Sequence, residues 1–445
     1  MEFLHHLSHM VMDSTLTPFF GPPCSRRGFL ISSSKQLVTL GLLGGLASCR
    51  TPQPISSHPT GEENSIGSVQ GGKVELPPLD APSEKPKEME QPLPKEKRVG
   101  YAIVGLGHLA LGEILPAFGQ CKKSKVTALV SGNRGKALTV ARQYGVSEKN
   151  LYDYTSYDSL KDNPEVDVIY IVLPNGLHAE YTIRGAKAGK HILCEKPMAN
   201  SVKECEDMIA ACQEANRKLM IAYRIQYEPN NAEIKRLIRS GKYGNVKYIT
   251  ATNGQNIGDP TQWRLNKKLA GGGSLPDVGI YCLNTIRYLL GEEPVEVFGQ
   301  TYSTPNDPRF KEVEESVLFQ MRFPSGVLAS CTSSYGHHES RNYRVYAENA
   351  YMGMDPAFPY KGLKMYMSST EGDKEVYQTP ILSEQNQFAL EMDHMSDCVL
   401  GDHIPYTRGE EGLQDQRIME AIYASAKGKV PVTLPSYQGL DVFRG

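Results

Sequence analysis

No C-x-x-C occurs among the nine cysteines, which removes zinc ribbons and thioredoxin-type redox pairs from consideration, and no metal is expected. Their odd number argues against a complete disulfide framework. Cys194, Cys205, Cys212 and Cys282 fall in apolar or helical patterns, where a small buried thiol is the expectation. Neither sign of charge dominates: 48 Lys and Arg face 50 Asp and Glu, a formal net charge of -2. Nothing therefore recommends nucleic acid or an anionic surface as partner. The uncharged segment 37–47 is too short to span a bilayer, which takes about 20 residues.

What is present is a chain of 445 residues, 40% apolar and 22% charged, long enough for two domains with their own cores. Its organising stretch is 99–110. An apolar run, Tyr101 to Val104, stops at Gly105, and a helix-forming run begins almost at once. Strand, tight turn and helix N-terminus follow in the order of a dinucleotide-binding βαβ unit. Gly105 permits the turn, Gly107 lets backbone approach a pyrophosphate, and Ala110 allows close packing of helix on strand.

Upstream, Ser25-Arg26-Arg27-Gly28-Phe29-Leu30 is a twin-arginine pattern, and the segment 37–47 behind it suits a signal-peptide h-region. Leu46-Ala47-Ser48-Cys49 has the form of a lipobox. Residues 1–49 are thus expected to be a twin-arginine signal directing the chain to the periplasm, with Cys49 either lipidated as a membrane anchor or a chance cysteine. Residues 50–95 hold nine of the 29 prolines and no helical or strand period. They form a linker: a tether, or an arm that docks on a neighbouring subunit.

From 99 onward apolar strands (99–104, 125–131, 166–173, 191–194, 219–222) alternate with amphipathic helices (109–119, 134–144, 177–188, 201–216). After Ala222 the texture changes. A helix near 229–240 leads to strand-like alternation at 245–252, 295–302, 315–322, 327–334, 341–348, 362–367 and 374–378, with helices at 278–290, 386–400 and 410–427. The expected fold is α/β followed by α+β. A Rossmann dinucleotide-binding domain occupies 96–222, and 223–445 forms a C-terminal substrate and oligomerisation domain built on a large, mostly antiparallel open sheet.

A missing carboxylate bears on the cofactor. NAD sites usually carry Asp or Glu at the end of the second strand, to bind the ribose 2′-hydroxyl. Here that strand ends in Ser131-Gly132-Asn133-Arg134-Gly135-Lys136. A hydroxyl, a glycine turn and two cations suit the 2′-phosphate of NADP, although cations at a helix start are also ordinary solvated residues. At the end of a later strand, Glu195-Lys196-Pro197 places a lysine where parallel sheets face their ligand. Asp277 and Tyr281, four apart at the opening of a helix, share one face. They could orient and deprotonate a carbohydrate hydroxyl, or serve as an N-cap and a packing aromatic.

These phrases carry a resemblance. Region 97–440 resembles the glucose-fructose oxidoreductase / inositol dehydrogenase / MocA-type oxidoreductase family at 100–107, 128–133, 173–180, 195–199, 262–265, 269–275, 288–294 and 409–415. Tyr281, where most of that family has histidine, is similar to the glucose-fructose oxidoreductase branch, as are the export signal and the proline-rich arm. The resemblance implies tightly held NADP and a ping-pong relay, in which an aldose such as glucose becomes its lactone and a ketose such as fructose is reduced to an alditol. It implies that Lys196 assists proton transfer, Tyr281 is the acid/base and Asp277 positions the sugar. Gly105, Leu106, Gly107 and His108 would lie on the pyrophosphate, and Ser131, Gly132 and Lys136 on the 2′-phosphate. Leu173, Pro174, Asn175 and His178 would flank the bridge between adenosine and nicotinamide, with Glu195, Arg224, Trp263 and Arg264 near the nicotinamide. It also implies a homo-oligomer, a tetramer joined through open sheets. His108 in place of the relatives' lysine, Pro276 inside the catalytic phrase, and the lipobox are departures. Two other enzyme readings are an exported NAD(P)-dependent glycosidase of the same fold and a conventional NADP-dependent sugar or polyol dehydrogenase. A third is a non-catalytic sugar-binding lipoprotein.

Overall fold

The computed structural model describes residues 68–70, 73–75 and 91–436. The twin-arginine segment, Cys49 and most of the proline-rich arm lie outside the described residues. The chain divides into two compact units, Met1–Pro86 and Lys87–Gly445. In the first, Ser68–Gln70 (β1) pairs antiparallel with Lys73–Glu75 (β2), in a region where no strand was expected from the proline-rich composition.

The second unit opens with a six-stranded parallel sheet. Its strands are Val99–Val104 (β3), Ser124–Val130 (β4), Leu151–Tyr152 (β5), Val168–Ile171 (β6), His191–Glu195 (β7) and Leu219–Ala222 (β8). Their order is β5-β4-β3-β6-β7-β8, so the order in which strands are laid down reverses between β3 and β6, the switch point at which such sheets bind ligands. All six residues of β3 are buried, as expected of a central strand covered by helices on both faces. Each flanking helix has a local cause. Asn133 caps Arg134–Tyr144 by accepting from the Lys136 N–H, and Gly145, with φ 69°, ends it. Ser201 caps Val202–Glu214, and Glu204 reaches back to the Asn200 N–H at 2.9 Å. The short edge strand β5 was not read from the sequence.

The remaining strands are Val246–Gly254 (β9), Glu296–Tyr302 (β10), Ser316–Arg322 (β11), Leu328–Ser334 (β12), Ser340–Ala347 (β13), Ala350–Met354 (β14), Met365–Glu371 (β15), Lys374–Gln378 (β16) and Val432–Thr433 (β17). They form one nine-stranded sheet in the order β16-β15-β14-β13-β9-β12-β11-β10-β17. Only β9 and β12 pair in parallel, so the expectation of a mostly antiparallel sheet holds. One face packs on the helix Ile280–Leu290, with Ile249, Val317, Phe319 and Cys331 in the same core. Tyr248, Leu318, Leu328 and Tyr346 on the other face are exposed. The buried Arg287 ties that helix to Gly409–Gly428: its guanidinium meets Glu293 at 2.7 Å and Glu411 at 3.3 Å, and also meets Asp415.

Two expected α-helices begin differently. Ala110–Ile114 and Leu275–Gly279 are wide π-turns that lead into α-helix at Leu115 and Ile280. Such turns recur where a helix must present side chains to a site. Pro276 stands in the first turn of the second one, where its missing N–H would have had no partner within the helix. The departure at this position is therefore compatible with the helix.

Candidate active site

One cavity of about 580 Å³ runs along the carboxyl ends of β3, β4, β6 and β7 to the start of the helix Ile280–Leu290. Seventeen of the eighteen residues that the resemblance assigns to the site line it; His178 does not.

At one end stand the glycine turn and the end of β4. Gly105 has φ +95°, and a Cβ there would fall 2.3 Å from the Val172 carbonyl oxygen, so the fold itself requires glycine. Gly107 differs: a Cβ would meet nothing within 4 Å. The protein has no need of glycine at that point, whereas a phosphate group lying on the backbone would. Leu106, His108, Ser131, Gly132 and Lys136 share this end with Tyr154. Lys136 Nζ donates to the Leu106 carbonyl at 3.3 Å, holding its charge beside the turn. Arg134, the second cation read from the sequence, instead donates to the Leu151 carbonyl at 3.1 Å and is not part of the cavity wall. The only carboxylates in the wall are Glu195 and Asp277, which belong to the other end. This donor set fits a 2′-phosphorylated dinucleotide.

Leu173, Pro174 and Asn175 form the middle of the wall. His178, expected beside them, is fully buried, with Nδ1 2.8 Å from the Pro197 carbonyl and Nε2 2.8 Å from the Leu173 carbonyl. Burial lowers its basicity. The ring clamps the loop after β6 to the loop after β7, so His178 positions the cavity rather than lining it.

At the far end three chain segments converge on Asp277. Lys196, following β7, donates through Nζ to the Asp277 backbone carbonyl at 2.7 Å and faces its carboxylate Oδ1 at 3.5 Å. Arg264 Nε donates to Oδ2 at 3.1 Å, and the Tyr335 hydroxyl donates to the same oxygen at 2.8 Å. Burial pushes the carboxyl pKa up, but the Arg264 and Lys196 charges and the Tyr335 hydroxyl outweigh it and hold it at about 2. Asp277 is therefore ionised at any physiological pH. It does not cap the helix; it holds two cations and a phenol in place. The helix start itself is anchored by Glu314, whose carboxylate accepts from the N–H groups of Gly273 (2.8 Å) and Leu275 (3.0 Å). A Cβ on Gly273 would lie 1.8 Å from the Glu314 carbonyl oxygen and one on Gly272 2.1 Å from the Tyr423 hydroxyl, while Gly271 has φ +78°, so each of the three glycines has its own cause.

Tyr281, a turn further on, has Lys196 Nζ 4.6 Å and Arg224 Cζ 4.9 Å from its ring centroid. Glu195 lies behind Lys196. The Tyr170 hydroxyl reaches both Glu195 Oε1 (2.8 Å) and Glu391 Oε1 (3.0 Å). Burial raises both carboxyl pKa values, Glu391's well above the ordinary range.

Sequence reasoning missed Asn253, Gln255, Arg341, Phe358, Tyr360 and Phe388 in the wall, and Tyr335 behind Asp277. The Arg341 Nη2 donates to Gln255 at 2.8 Å, and Asn253 holds the Val278 carbonyl at 2.9 Å. The nearest available signal was the end of a strand, at 253–255 and 335; the aromatic loop at 358–360 had none.

Two family models match the chain: "Oxidoreductase family, NAD-binding Rossmann fold" over residues 99–223 and "GFO/IDH/MocA C-terminal domain" over residues 231–352. The chain is 32% identical over 359 residues to a D-xylose 1-dehydrogenase [NADP(+)] of Haloarcula marismortui, covering 78% of this chain and 96% of that protein. It is 28% identical over 335 residues to D-xylose 1-dehydrogenase (NADP(+)) 2 of Haloferax volcanii, covering 75% and 99%. Among solved structures it is similar to an aldose-aldose oxidoreductase from Caulobacter crescentus complexed with glycerol. The identity is 46%, the TM-score is 0.73, and the match covers 76% of this chain and all of that one. With both halves of the fold, the cavity between them and full-length relatives in agreement, the chain belongs to the GFO/IDH/MocA oxidoreductase family.

Proposed function

We propose that the protein is an NADP-dependent sugar oxidoreductase that oxidises an aldose at C1 to its lactone and reduces a second sugar in the return half-reaction. One observation carries this reading. A cavity with Ser131 and Lys136 at one end, free of carboxylates, has the Lys196–Asp277–Tyr281 group at the other. The names of the NADP-dependent xylose dehydrogenases and of the aldose-aldose oxidoreductase point the same way.

NADP, when bound, supplies the acceptor and donor of hydride. The chain's own residues then have separable tasks. Asp277, fixed as an anion, accepts a hydrogen bond from a sugar hydroxyl and keeps Lys196 and Arg264 in place. Tyr281 takes the proton of the C1 hydroxyl as the lactone carbonyl forms, and returns it to the carbonyl oxygen of the second sugar as that is reduced. Lys196 donates to the same oxygen and resists protonation of the site from solvent. The phenol carries one proton through both halves, so no other proton store is needed.

The resemblance read from the sequence assigns the acceptor role to a ketose such as fructose. The relative at 46% identity, named for two aldoses, favours a second reading in which the acceptor is an aldose. The test is to purify the protein, record the reduced-nicotinamide absorbance on adding an aldose, and then add fructose or a second aldose. Bound cofactor that is reduced by the first sugar and reoxidised by one of the second is expected. Tyr281→Phe should retain NADP and lose turnover by about 10²–10⁴ in both directions. Near-normal rates in that variant, or no nicotinamide chemistry with any sugar, overturn the proposal.

A further inference from the structure

The nine-stranded sheet delivers one wall of the cavity. Gln255 directly follows β9, and its backbone N–H donates to the Ser334 carbonyl at 2.9 Å, one residue before the Tyr335 whose hydroxyl holds Asp277. Asn253, two residues earlier, holds the Val278 carbonyl. Arg341 comes from β13, where it pairs with Asn253 in the antiparallel register. Gln255 and Arg341 therefore enter beside the Asp277 end of the cavity, and both line it.

Most charged side chains at this end are committed to the protein. Lys196 and Arg264 hold Asp277, Arg224 donates to Gln387 and to the Pro359 and Phe358 carbonyls, and Glu195 accepts from Tyr170. Gln255 and Arg341 differ. Arg341 Nη2 donates to Gln255 Oε1 at 2.8 Å. Arginine has donors only, so this bond fixes which way the amide is turned: carbonyl toward Arg341, NH2 away from it. Among the described residues nothing accepts a hydrogen bond from Gln255 Nε2 or from Arg341 Nη1. Two nitrogens that carry hydrogen thus stand next to each other in the wall without a protein acceptor. The guanidinium charge is met by Glu339, which is not part of the wall and whose Oε1 lies 2.8 Å from Arg341 Nε. Donors whose charge is already compensated suit neutral oxygens rather than a carboxylate or a phosphate.

Resting on the reading of this cavity as a sugar site, we propose that Gln255 and Arg341 form its specificity subsite: they donate to neighbouring hydroxyl oxygens of a neutral aldose, beyond C1. Arg341 has a second task, since its bond to the Gln255 carbonyl holds the amide with its NH2 toward the sugar. A sugar lacking the hydroxyl at this place leaves an oriented donor unpaired, which is how a hydrogen-bonding site rejects the wrong substrate.

The experiment uses the holoenzyme and its Gln255→Met, Arg341→Met and Arg341→Lys variants. Trp263 is the single tryptophan of the chain and lines the same cavity, so its fluorescence reads sugar binding without turnover; equilibrium dialysis reads it independently. The probes are glucose and its monodeoxy analogues at C2, C3, C4 and C6. The wild type is expected to bind one or two of the analogues about tenfold more weakly than glucose, the scale of one hydrogen bond. Gln255→Met should bind glucose about tenfold more weakly and should no longer distinguish it from those analogues. Its KM for glucose should rise by more than its kcat falls, with NADP retained. Arg341→Met should show the same pattern, and Arg341→Lys should recover part of it. A merely structural pair would weaken glucose and every analogue by one factor; that result, or unchanged affinity, overturns the proposal. Glucuronate, with a carboxylate at C6, should bind no better than glucose, and tighter binding would overturn the assignment to a neutral sugar. Failure of the underlying reading is distinguishable. Glucose bound with the expected pattern but never oxidised would remove the oxidoreductase reading and support the subsite, whereas a wild type that binds no glucose overturns the subsite.

Discussion

Replacing Asp277 by asparagine tests the electrostatic design of the site through stability alone. The carboxylate is held at about 2 against an ordinary 3.8. A shift of nearly two units corresponds to roughly 2.5 kcal/mol, at about 1.4 kcal/mol per unit. Its side chain is only 17% exposed, so solvent screening removes little of this. Because the folded pKa is depressed, the contribution is complete above the unfolded value near about 4 and is lost as the pH falls through about 2. At pH 7 Asp277→Asn should therefore unfold in urea at a free energy lower by roughly 2 kcal/mol. It should not be less than that, since Arg264 and Lys196 are left facing a neutral amide. The gap between the two proteins should narrow once the pH drops below about 4, where the wild type loses what the variant never had. Both proteins must be compared at equal cofactor saturation, because a bound ligand adds its own stabilisation. A difference below about 0.5 kcal/mol at pH 7, or one that does not change with pH, would show that the cations at Asp277 do not set its charge.

The two glycines of the turn should behave oppositely. Gly105→Ala forces a Cβ against the Val172 carbonyl at positive φ and should lower the melting temperature with or without cofactor. Gly107→Ala enters open space and should leave the melting temperature of the cofactor-free protein unchanged while weakening NADP binding measured by calorimetry; unchanged affinity would remove the phosphate from that spot. Ser131→Asp, buried at the end of β4, should weaken NADP by roughly 1–3 kcal/mol and spare NAD. Equal losses for both dinucleotides would make the turn merely structural.

The parts of the fold that were legible share a local cause. β3 reads as a buried strand because its apolar run ends at a glycine that the turn requires. The helix Arg134–Tyr144 reads from its cap at Asn133 and its stop at Gly145. What escaped notice lacks such local marks. β14 follows β13 after only Glu348 and Asn349, and its Ala-Tyr-Met-Gly-Met has no alternation to separate it. β17 is two residues long and exists because β10 offers it an edge. The π-turns are invisible because a periodicity of apolar residues cannot distinguish five residues per hydrogen-bonded turn from four.

The site divides along the same line. Lys196, Asp277 and Tyr281 each stand where a strand ends or a helix begins, so their place in the crevice follows from their immediate neighbours. Their surroundings do not. Asp277 is ionised partly because Tyr335, at the far end of β12, donates to it. Tyr281 meets a cation held in place by Phe358, Pro359 and Gln387, more than 130 residues beyond Arg224. His178, by contrast, occupies a motif position from which a role in the wall follows, yet its ring turns inward to clamp two loops. A motif places the backbone of a residue; which groups surround the side chain is decided by segments that the motif does not contain. Candidate site residues can therefore be found by local reading, whereas the charges and hydrogen bonds around them are a property of the assembled fold.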